Sequence, residues 1–279
     1  MEESLRFSVS MCVYGGDAPD NFDAALNSVI DQTVRPSEVV LTVDGPVPET
    51  IEAVIEKYTN ILPDLAVDFK VVYLEKNMGH GETRRIGFDQ CTCDLIALMD
   101  ADDLAVPERF EKQLDYYARY PELSVVGGYI REFVGTPENV AGKRIVPETD
   151  KEIKEYMKKR CPMNQVTVMF RKEAVASVGG YIDWYCEEDY YLWIRLALAG
   201  YKFGNVQENL VNVRVGEEMY RRRGGLKYLK SEASLQKFML KKNIIGLGRY
   251  VINVSERLIL QVLIPNKLRG YLFQKLARQ

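Results

Sequence analysis

Apolar, β-rich runs alternate with amphipathic helical runs along the first hundred residues of this chain. The runs predicted to be strands are Phe7–Tyr14, Val39–Val43, Val67–Leu74 and Asp94–Met99. The runs whose apolar residues have helical spacing are Phe22–Ile30, Glu49–Ile61 and Gly81–Asp89. Alternation of this kind through short connections is typical of a parallel sheet covered by helices on both faces. The sequence therefore predicts an α/β fold.

The remainder of the chain is less regular and predicts a mixed back half, joined to the front half without a linker. Its predicted helices and strands are Pro107–Arg119, Leu123–Phe133, Val166–Phe170, Glu188–Leu198 and Asn209–Val215, with a loop or small excursion over Gly135–Asp150. After Gly216 the composition shifts, and helical spacing returns at Leu226–Lys242 and Ile244–Ile264. We therefore predict a catalytic domain over residues 1–218, with halves at about 1–103 and 104–218, and a helical extension over 219–279.

The charge is distributed unevenly. The 279 residues carry a net charge of −3, but residues 219–279 hold 14 Lys/Arg and 2 Asp/Glu, a net charge of +12. A basic tail on an acidic body favours an anionic membrane surface as its partner. Two alternatives stay open, namely solvated basic helix faces and, less favoured, nucleic acid.

The run Val251–Ile264 is strongly apolar but contains Glu256 and Arg257. It is too short and too charged to span a bilayer. An amphipathic helix lying in the membrane interface is the favoured interpretation, and packing against the catalytic body is the alternative. No secretory signal is evident, and the odd number of cysteines, five, suggests reduced thiols. These features predict a cytoplasmic protein.

Three carboxylates, Asp100, Asp102 and Asp103, directly follow the predicted strand Asp94–Met99. Acids at the carboxyl end of a parallel strand lie where ligands usually bind in open α/β sheets. Crowded carboxylates repel one another, and a divalent cation such as Mg²⁺ or Mn²⁺ relieves that repulsion. A helix cap for the Pro107 region is the alternative. Asp44 ends another strand in the same way, although Asp44-Gly45-Pro46 is also a typical turn.

Two further clusters could carry chemistry. Glu187, Glu188 and Asp189 are flanked by aromatic residues, and a partly desolvated carboxylate makes a workable general base, although acids also cap helices. The segment from Asn77 to Arg85 contains Arg84, which could bind a diphosphate or stack on a base. This segment also contains His80, the single histidine of the chain. His80 could be a solvated loop residue, or it could contact a nucleotide or a metal.

The order and spacing of these motifs resemble family 2 glycosyltransferases of the GT-A fold over roughly residues 5–215. The matching segments are Phe7–Tyr14, Asp31-Gln32-Thr33, Val43-Asp44-Gly45, Glu75-Lys76-Asn77 with Gly79, Met99–Asp103 and Glu188–Trp193. Further similarity extends the resemblance over nearly the whole chain, through Thr167–Arg171, Gly179–Tyr181, Val213–Gly216, Tyr220–Gly225 and Pro265–Lys267. The nearest likeness is to bacterial enzymes of exopolysaccharide, capsule or O-antigen synthesis.

The resemblance implies a role for each matched position. Val13 and Tyr14 would line the nucleobase pocket, Asp44 would bond uracil, and Arg84 would lie beside the nucleotide. Asp100 would hold the ribose, with Ala101 next to it in the nucleotide site. Asp102 would bind the divalent metal, Mn²⁺ or Mg²⁺, and Asp189 would be the catalytic base.

Together these roles imply an inverting, metal-dependent transfer of a hexose, with galactose as our expectation, from a UDP-sugar. The implied acceptor is a saccharide on polyprenyl diphosphate at the inner face of a bacterial plasma membrane. Two other classes stay open: a nucleotidyltransferase of related architecture and a non-catalytic sugar-nucleotide-binding relative.

Overall fold

The computed structural model describes residues 6–216 and 225–263, and its front half alternates strand and helix as predicted. The strands of this half are β1 Phe7–Tyr14, β2 Glu38–Asp44, β3 Asp68–Tyr73 and β4 Leu95–Asp100. The connecting helices are α1 Pro19–Ile30, α2 Glu49–Ile61 and α3 His80–Gln90. The four strands are parallel, in the order β3-β2-β1-β4. All residues of β2 are buried, as expected for a strand covered on both faces.

The back half turns the sheet from parallel to mixed. Its elements are β5 Leu104–Ala105, α4 Arg109–Arg119, β6 Leu123–Phe133, β7 Val140–Arg144, α5 Asp150–Met157, β8 Met169–Arg171, α6 Lys172–Ser177, α7 Glu188–Leu198 and β9 Lys202–Arg214. The sheet continues from β4 in the order β8-β6-β9-β5, and β7 pairs with β6. Strand β8 is antiparallel to both neighbours, whereas β6 and β9 are parallel. The predicted α/β class with a mostly parallel front half is confirmed.

Several back-half predictions were wrong in their bounds. The predicted loop Gly135–Asp150 contains β7, and the predicted strand Val166–Phe170 begins as a 3-10 turn at Gln165–Thr167. Strand β9 begins at Lys202, seven residues before the predicted start, because its pairing with β6 is irregular near exposed polar residues at 207 and 208. Bulges and polar interruptions hide a strand from its hydrophobic period.

Two hydrophobic layers lie on opposite faces of the sheet. Alternate residues of β4 divide between them: Leu95, Ala97 and Met99 face one layer, and Ile96 and Leu98 face the other. Helices α1, α2 and α4 cover the first layer, while α3 and α5 to α7 cover the second.

A C-terminal helical hairpin completes the second layer. It comprises α8 Leu226–Lys241, α9 Leu247–Leu258 and a π-helical turn at Ile259–Leu263. Leu235 and Met239 of α8 are fully buried in the same cluster as Trp193 of α7. Asn243 has a left-handed backbone just after the end of α8, and the helix predicted over Ile244–Ile264 begins only at Leu247. No helix among the described residues is long and apolar enough to cross a membrane.

Candidate active site

The carboxyl ends of β1, β2 and β4 bring Asp44 and Asp100 to one edge of the sheet. Tyr14 stands opposite Asp44 in the register between β1 and β2, and Cys12 stands opposite Asp100 in the register between β1 and β4. Strand β1 therefore lies between the two strands that carry Asp44 and Asp100. This is the edge at which ligands bind in open parallel sheets.

Asp44 organises the loop that leads into α3. Its carboxylate accepts the backbone N–H of Met78 at 2.6 Å and that of Gly79 at 3.2 Å, and the residue is buried. A carboxylate has about four acceptor positions, so these two bonds leave capacity for a ligand donor. The predicted turn role and the predicted base-binding role are thus compatible in geometry.

The end of β1 offers an aromatic surface beside Asp44. Val13 is buried, whereas Tyr14 is 41% exposed. The Tyr14 ring lies over Gly16, where an added Cβ would come within 2.5 Å of the ring. Tyr14 N–H also donates to Asp17 at 3.0 Å, which fixes the turn after the strand. The site expected to hold a nucleobase is therefore built on glycines that permit close approach.

The three acids at the end of β4 and in the turn after it have three different environments. Asp100 is half-buried and accepts the Arg84 guanidinium at 3.1 Å. Asp102 is also half-buried, and its carbonyl oxygen accepts Arg214 Nε at 3.2 Å. Asp103 is buried and accepts the Arg214 backbone N–H at 2.8 Å. Burial and the neighbouring charges of Asp102 and Asp100 raise the pKa of Asp103 well above its ordinary value.

No three His, Cys, Asp or Glu side chains within 6–216 and 225–263 are gathered to hold a metal on protein ligands alone. Mg²⁺ is commonly bound by one or two carboxylates, with substrate phosphates as further ligands. Burial comes first among the causes that raise the pKa of Asp103, and repulsion from Asp102 and Asp100 adds to it; a cation beside Asp102 would reduce this repulsion. The residues therefore fit a metal that binds together with a diphosphate.

Arg84 joins the two halves of the site. Besides Asp100, its guanidinium contacts Glu188 at the start of α7, at 2.7 Å. Burial disfavours its charge, but Asp100 and Glu188 outweigh this effect and hold the pKa of Arg84 above its ordinary value. Neighbouring Arg85 instead pairs with Glu82 and Asp89 on its own helix. His80 is exposed at the first position of α3.

Asp189 occupies the first turn of α7, on the far side of Arg84 from the acids of β4. The Tyr190 backbone N–H donates to Asp189 Oδ1 at 2.6 Å, and Cys161 Sγ lies 4.0 Å from Asp189 Oδ2. Burial, followed by the charge of Glu188, raises the pKa of Asp189 to about 6. A carboxylate with a raised pKa is suited to general-base work near neutrality.

Sequence reasoning missed two residues beneath the acids. Arg109 is fully buried and donates to the Leu98 carbonyl at 2.8 Å, and burial lowers its pKa to about 9. Arg214 holds both Asp102 and Asp103 through contacts that involve main-chain atoms. From sequence, an arginine at the start of an amphipathic helix is expected to be exposed, so no sequence pattern predicted the burial of Arg109.

Known proteins resemble this chain over most of its length. The model of "Glycosyl transferase family 2" matches residues 8–179. The amylovoran biosynthesis glycosyltransferase AmsE of Erwinia amylovora is 34% identical, with 96% of this chain and 98% of that protein covered. An Escherichia coli protein named UDP-Gal:alpha-D-GlcNAc-diphosphoundecaprenol beta-1,3-galactosyltransferase is also 34% identical, covering 100% of this chain and 98% of that protein.

Solved structures share the fold at lower identity. Staphylococcus aureus TarS 1-349 in complex with UDP-GlcNAc has a TM-score of 0.66 at 17% identity, covering 91% of this chain and 72% of that chain. The mannosyltransferase PcManGT of Pyrobaculum calidifontis, in complex with GDP-Man and Mn²⁺, has a TM-score of 0.63 at 14% identity, covering 95% and 71%. From the family match and the two relatives, we conclude that the chain belongs to glycosyltransferase family 2 and is a glycosyltransferase.

Proposed function

We propose that this protein is an inverting glycosyltransferase that moves a hexose from a UDP-sugar to a saccharide carried on polyprenyl diphosphate. The observation that carries the proposal is the Arg84 bridge, which connects the Asp100 end of the sheet to the acidic start of α7. Galactose is the proposed hexose and polyprenyl diphosphate the proposed carrier, in agreement with the name of the Escherichia coli relative. Synthesis of a bacterial surface polysaccharide is the proposed setting.

The donor would lie along the ends of β1, β2 and β4. Val13 and Tyr14 would contact the base, Asp44 would accept a uracil N–H, and Asp100 with Ala101 would contact the ribose. Arg84 would lie beside the nucleotide. Asp102 would hold Mn²⁺ or Mg²⁺, which when bound supplies Lewis-acid stabilisation of the diphosphate leaving group.

The acceptor would approach from the α7 side. Asp189 would take the proton of the acceptor hydroxyl while that oxygen bonds to the anomeric carbon and the bond from this carbon to the diphosphate oxygen breaks. UDP leaves with the bonding electron pair, and attack from the opposite face gives a β-linkage from an α-linked donor. The raised pKa of Asp189 supports its assignment as the base.

The direct test is a screen of UDP-sugars for UDP release, with Mn²⁺ present, with and without a GlcNAc-diphosphate-polyprenyl acceptor. We expect release that depends on the acceptor, and UDP-galactose as the best donor. In a parallel assay with UTP and a sugar 1-phosphate, release of pyrophosphate would identify a nucleotidyltransferase. Nucleotide binding without any turnover on the panel would favour a non-catalytic relative.

We further propose that the protein binds the cytoplasmic face of the plasma membrane through its C-terminal extension, residues 219–279, beyond a catalytic domain over 1–218 with donor and acceptor halves. One side of the hairpin exposes apolar residues, and these are Leu247, Val251, Ile252, Leu258 and Ile259. The net charge of +12 over the extension complements an anionic bilayer. An exposed apolar face beside basic residues is typical of interfacial helices.

Flotation of the full chain with phosphatidylglycerol-rich vesicles tests this proposal. The double variant Ile252→Ser with Ile259→Ser should float several-fold less, because each side chain contributes on the order of 1 kcal/mol or more when it enters the interface. Val140→Ser, at a similarly exposed apolar position on β7, is the matched control and should float like the wild type. Equal flotation of all three would contradict the proposal.

A further inference from the structure

The inner side of the C-terminal hairpin is polar and nearly solvent-free. Glu232 and Gln236 of α8, Asn253 of α9 and Gln261 of the following turn are 7%, 1%, 0% and 3% exposed. Glu232 accepts Arg257 Nε at 2.8 Å and also bonds Gln261, while Asn253 donates to Gln236 at 2.7 Å. Burying charges and amides is costly compared with apolar packing, so stability alone is a weak reason for this network.

One set of hairpin contacts fixes the loop that precedes α7. Ser231 Oγ donates to the Tyr185 carbonyl at 2.6 Å, and Trp184 Nε1 donates to the Ser231 carbonyl at 3.3 Å. The Lys227 ammonium lies 3.8 Å from the centre of the Tyr185 ring. This loop contains Cys186, whose φ of 58° is unusual for a residue other than glycine. The loop conformation is therefore held by α8.

A second set of contacts fixes the segment that follows α5. Asn253 Nδ2 donates to the Lys158 carbonyl at 2.8 Å, and Arg257 Nη2 donates to the Lys159 carbonyl at 2.9 Å. These carbonyls lie just before Cys161, whose sulfur is 4.0 Å from the Asp189 carboxylate. Arg257 therefore links Glu232 to the segment 158–161, which reaches Asp189 through Cys161.

Both fixed segments adjoin Asp189, since Cys161 contacts its carboxylate and residues 184–187 lead into the helix turn that carries it. Glu187 precedes it by two residues and is buried, and burial together with the charge of Glu232 raises the pKa of Glu187 well above its ordinary value. Glu187, Glu232 and Asp189 form an acidic group in which Arg257 supplies compensating charge. Movement of the hairpin would thus shift the segments 158–161 and 184–187, which adjoin Asp189.

We infer that the hairpin positions the catalytic base, with Arg257 and Glu232 as positioning residues that act through the segments 158–161 and 184–187. The inference rests on the proposed function for the identity of the base. It assigns to the C-terminal extension a role in acceptor activation, separate from any role in membrane binding. Misplacement of a reacting group by about 1 Å can cost on the order of 10²-fold in rate.

The test compares Arg257→Gln with Arg257→Lys and with a matched arginine elsewhere. Like Arg257, Arg171 on β8 donates two hydrogen bonds, in this case both to backbone carbonyls, of Leu123 at 3.0 Å and Pro121 at 2.9 Å, and it pairs with Leu95 at the far end of β4 from Asp100. Arg171→Gln therefore removes similar bonds away from the site. We expect Arg257→Gln to lower kcat roughly 10- to 100-fold with an unchanged Kd for UDP. Arg257→Lys should recover part of the loss, and Arg171→Gln should leave kcat near wild type.

Acrylamide quenching of Trp184 provides a readout that needs no turnover, since the only other tryptophan, Trp193, is fully buried. We expect greater quenching in Arg257→Gln than in the wild type or Arg171→Gln. If Arg257→Gln does not fold, Ser231→Ala tests whether the hairpin fixes the loop before α7, because it removes the bond to the Tyr185 carbonyl. We expect a smaller loss of kcat and increased quenching. Wild-type kcat and quenching in a folded Arg257→Gln would overturn the inference. Absence of transfer by the wild-type protein would instead contradict the proposed function, and quenching alone would then decide whether the hairpin fixes the loop.

Discussion

The donor edge and the base side of this site are built in different ways. At the donor edge, Asp44 and Asp100 stand at the ends of the two parallel strands that flank β1, and the sheet register fixes their spacing. On the base side, Asp189 lies in the first turn of α7, and residues far away in sequence contact the segments around it. Asn253, for example, bonds the carbonyl of Lys158, 95 positions earlier.

This difference teaches which part of the site depends on local structure and which on long-range contacts. A strand end inherits its position from a ladder of backbone hydrogen bonds, so side-chain changes there disturb ligand contacts more than geometry. The base side relies on buried side-chain bonds, which are sensitive to the loss of one partner. Substitutions should therefore separate into effects on donor binding and effects on turnover.

The largest effect is expected for Asp189→Asn. This change removes the proton acceptor but keeps the shape and the bond from the Tyr190 N–H. The turnover rate should fall by about 10² to 10⁴ while UDP affinity stays close to wild type. Steady-state kinetics and calorimetric titration with UDP measure the two quantities, and a wild-type rate would refute the base assignment.

Asp102→Ala should affect the donor edge of the site and not the base side. Loss of the proposed metal ligand should lower kcat/KM on the order of 10²-fold and weaken donor binding. The measurement is a Mn²⁺ titration of UDP release after treatment with a chelator. Wild-type protein should regain activity at low Mn²⁺, whereas the variant should require much more; identical titrations would exclude Asp102 as the ligand.

The pH dependence of turnover should report the base side alone. The pKa of Asp189 is raised to about 6 by burial, and the carboxylate must be deprotonated to accept a proton. Turnover should therefore be constant above pH 6 to 7 and fall about tenfold for each pH unit below it. The residual rate of Asp189→Asn should lack this acidic limb, and a limb shared by both proteins would assign it to another group.

The smallest effect is expected for Gly45→Ala at the donor edge. Gly45 has a φ of 82°, and an added Cβ would lie 2.6 Å from the Asn77 nitrogen, so backbone must move. The free energy of unfolding should fall by about 1–3 kcal/mol, and UDP binding should weaken as the Asp44 loop shifts.

Gly200→Ala is its matched control. Gly200 has a φ of 87° but no atom within 4 Å of an added Cβ, and it lies beyond the end of α7. It should lose some stability from backbone strain alone and keep wild-type UDP affinity. Equal UDP affinity in Gly45→Ala would show that the loop tolerates displacement.

The front half of the fold was readable from sequence because its strands are continuous apolar runs between clear turns. The predicted strand Phe7–Tyr14 matches β1 in full, and the acids after β4 were placed at the correct edge. Strand β7 and helix α5 were missed because short, partly exposed elements have weak periodicity. Residues 219–224 and 264–279 of the predicted extension lie outside the described residues.

By itself, the sequence determined the α/β class, the family and the candidate acids, because these depend on hydrophobic period and on motifs with fixed spacing. Only the tertiary structure decided that Arg84 bridges Asp100 and Glu188, that Arg109 bonds β4 and Arg214 the turn after it, and that the C-terminal helices pack against α7. The physical reason is that such contacts join residues separated by many positions. Burial and charge pairing arise only when the sheet and its helices come together.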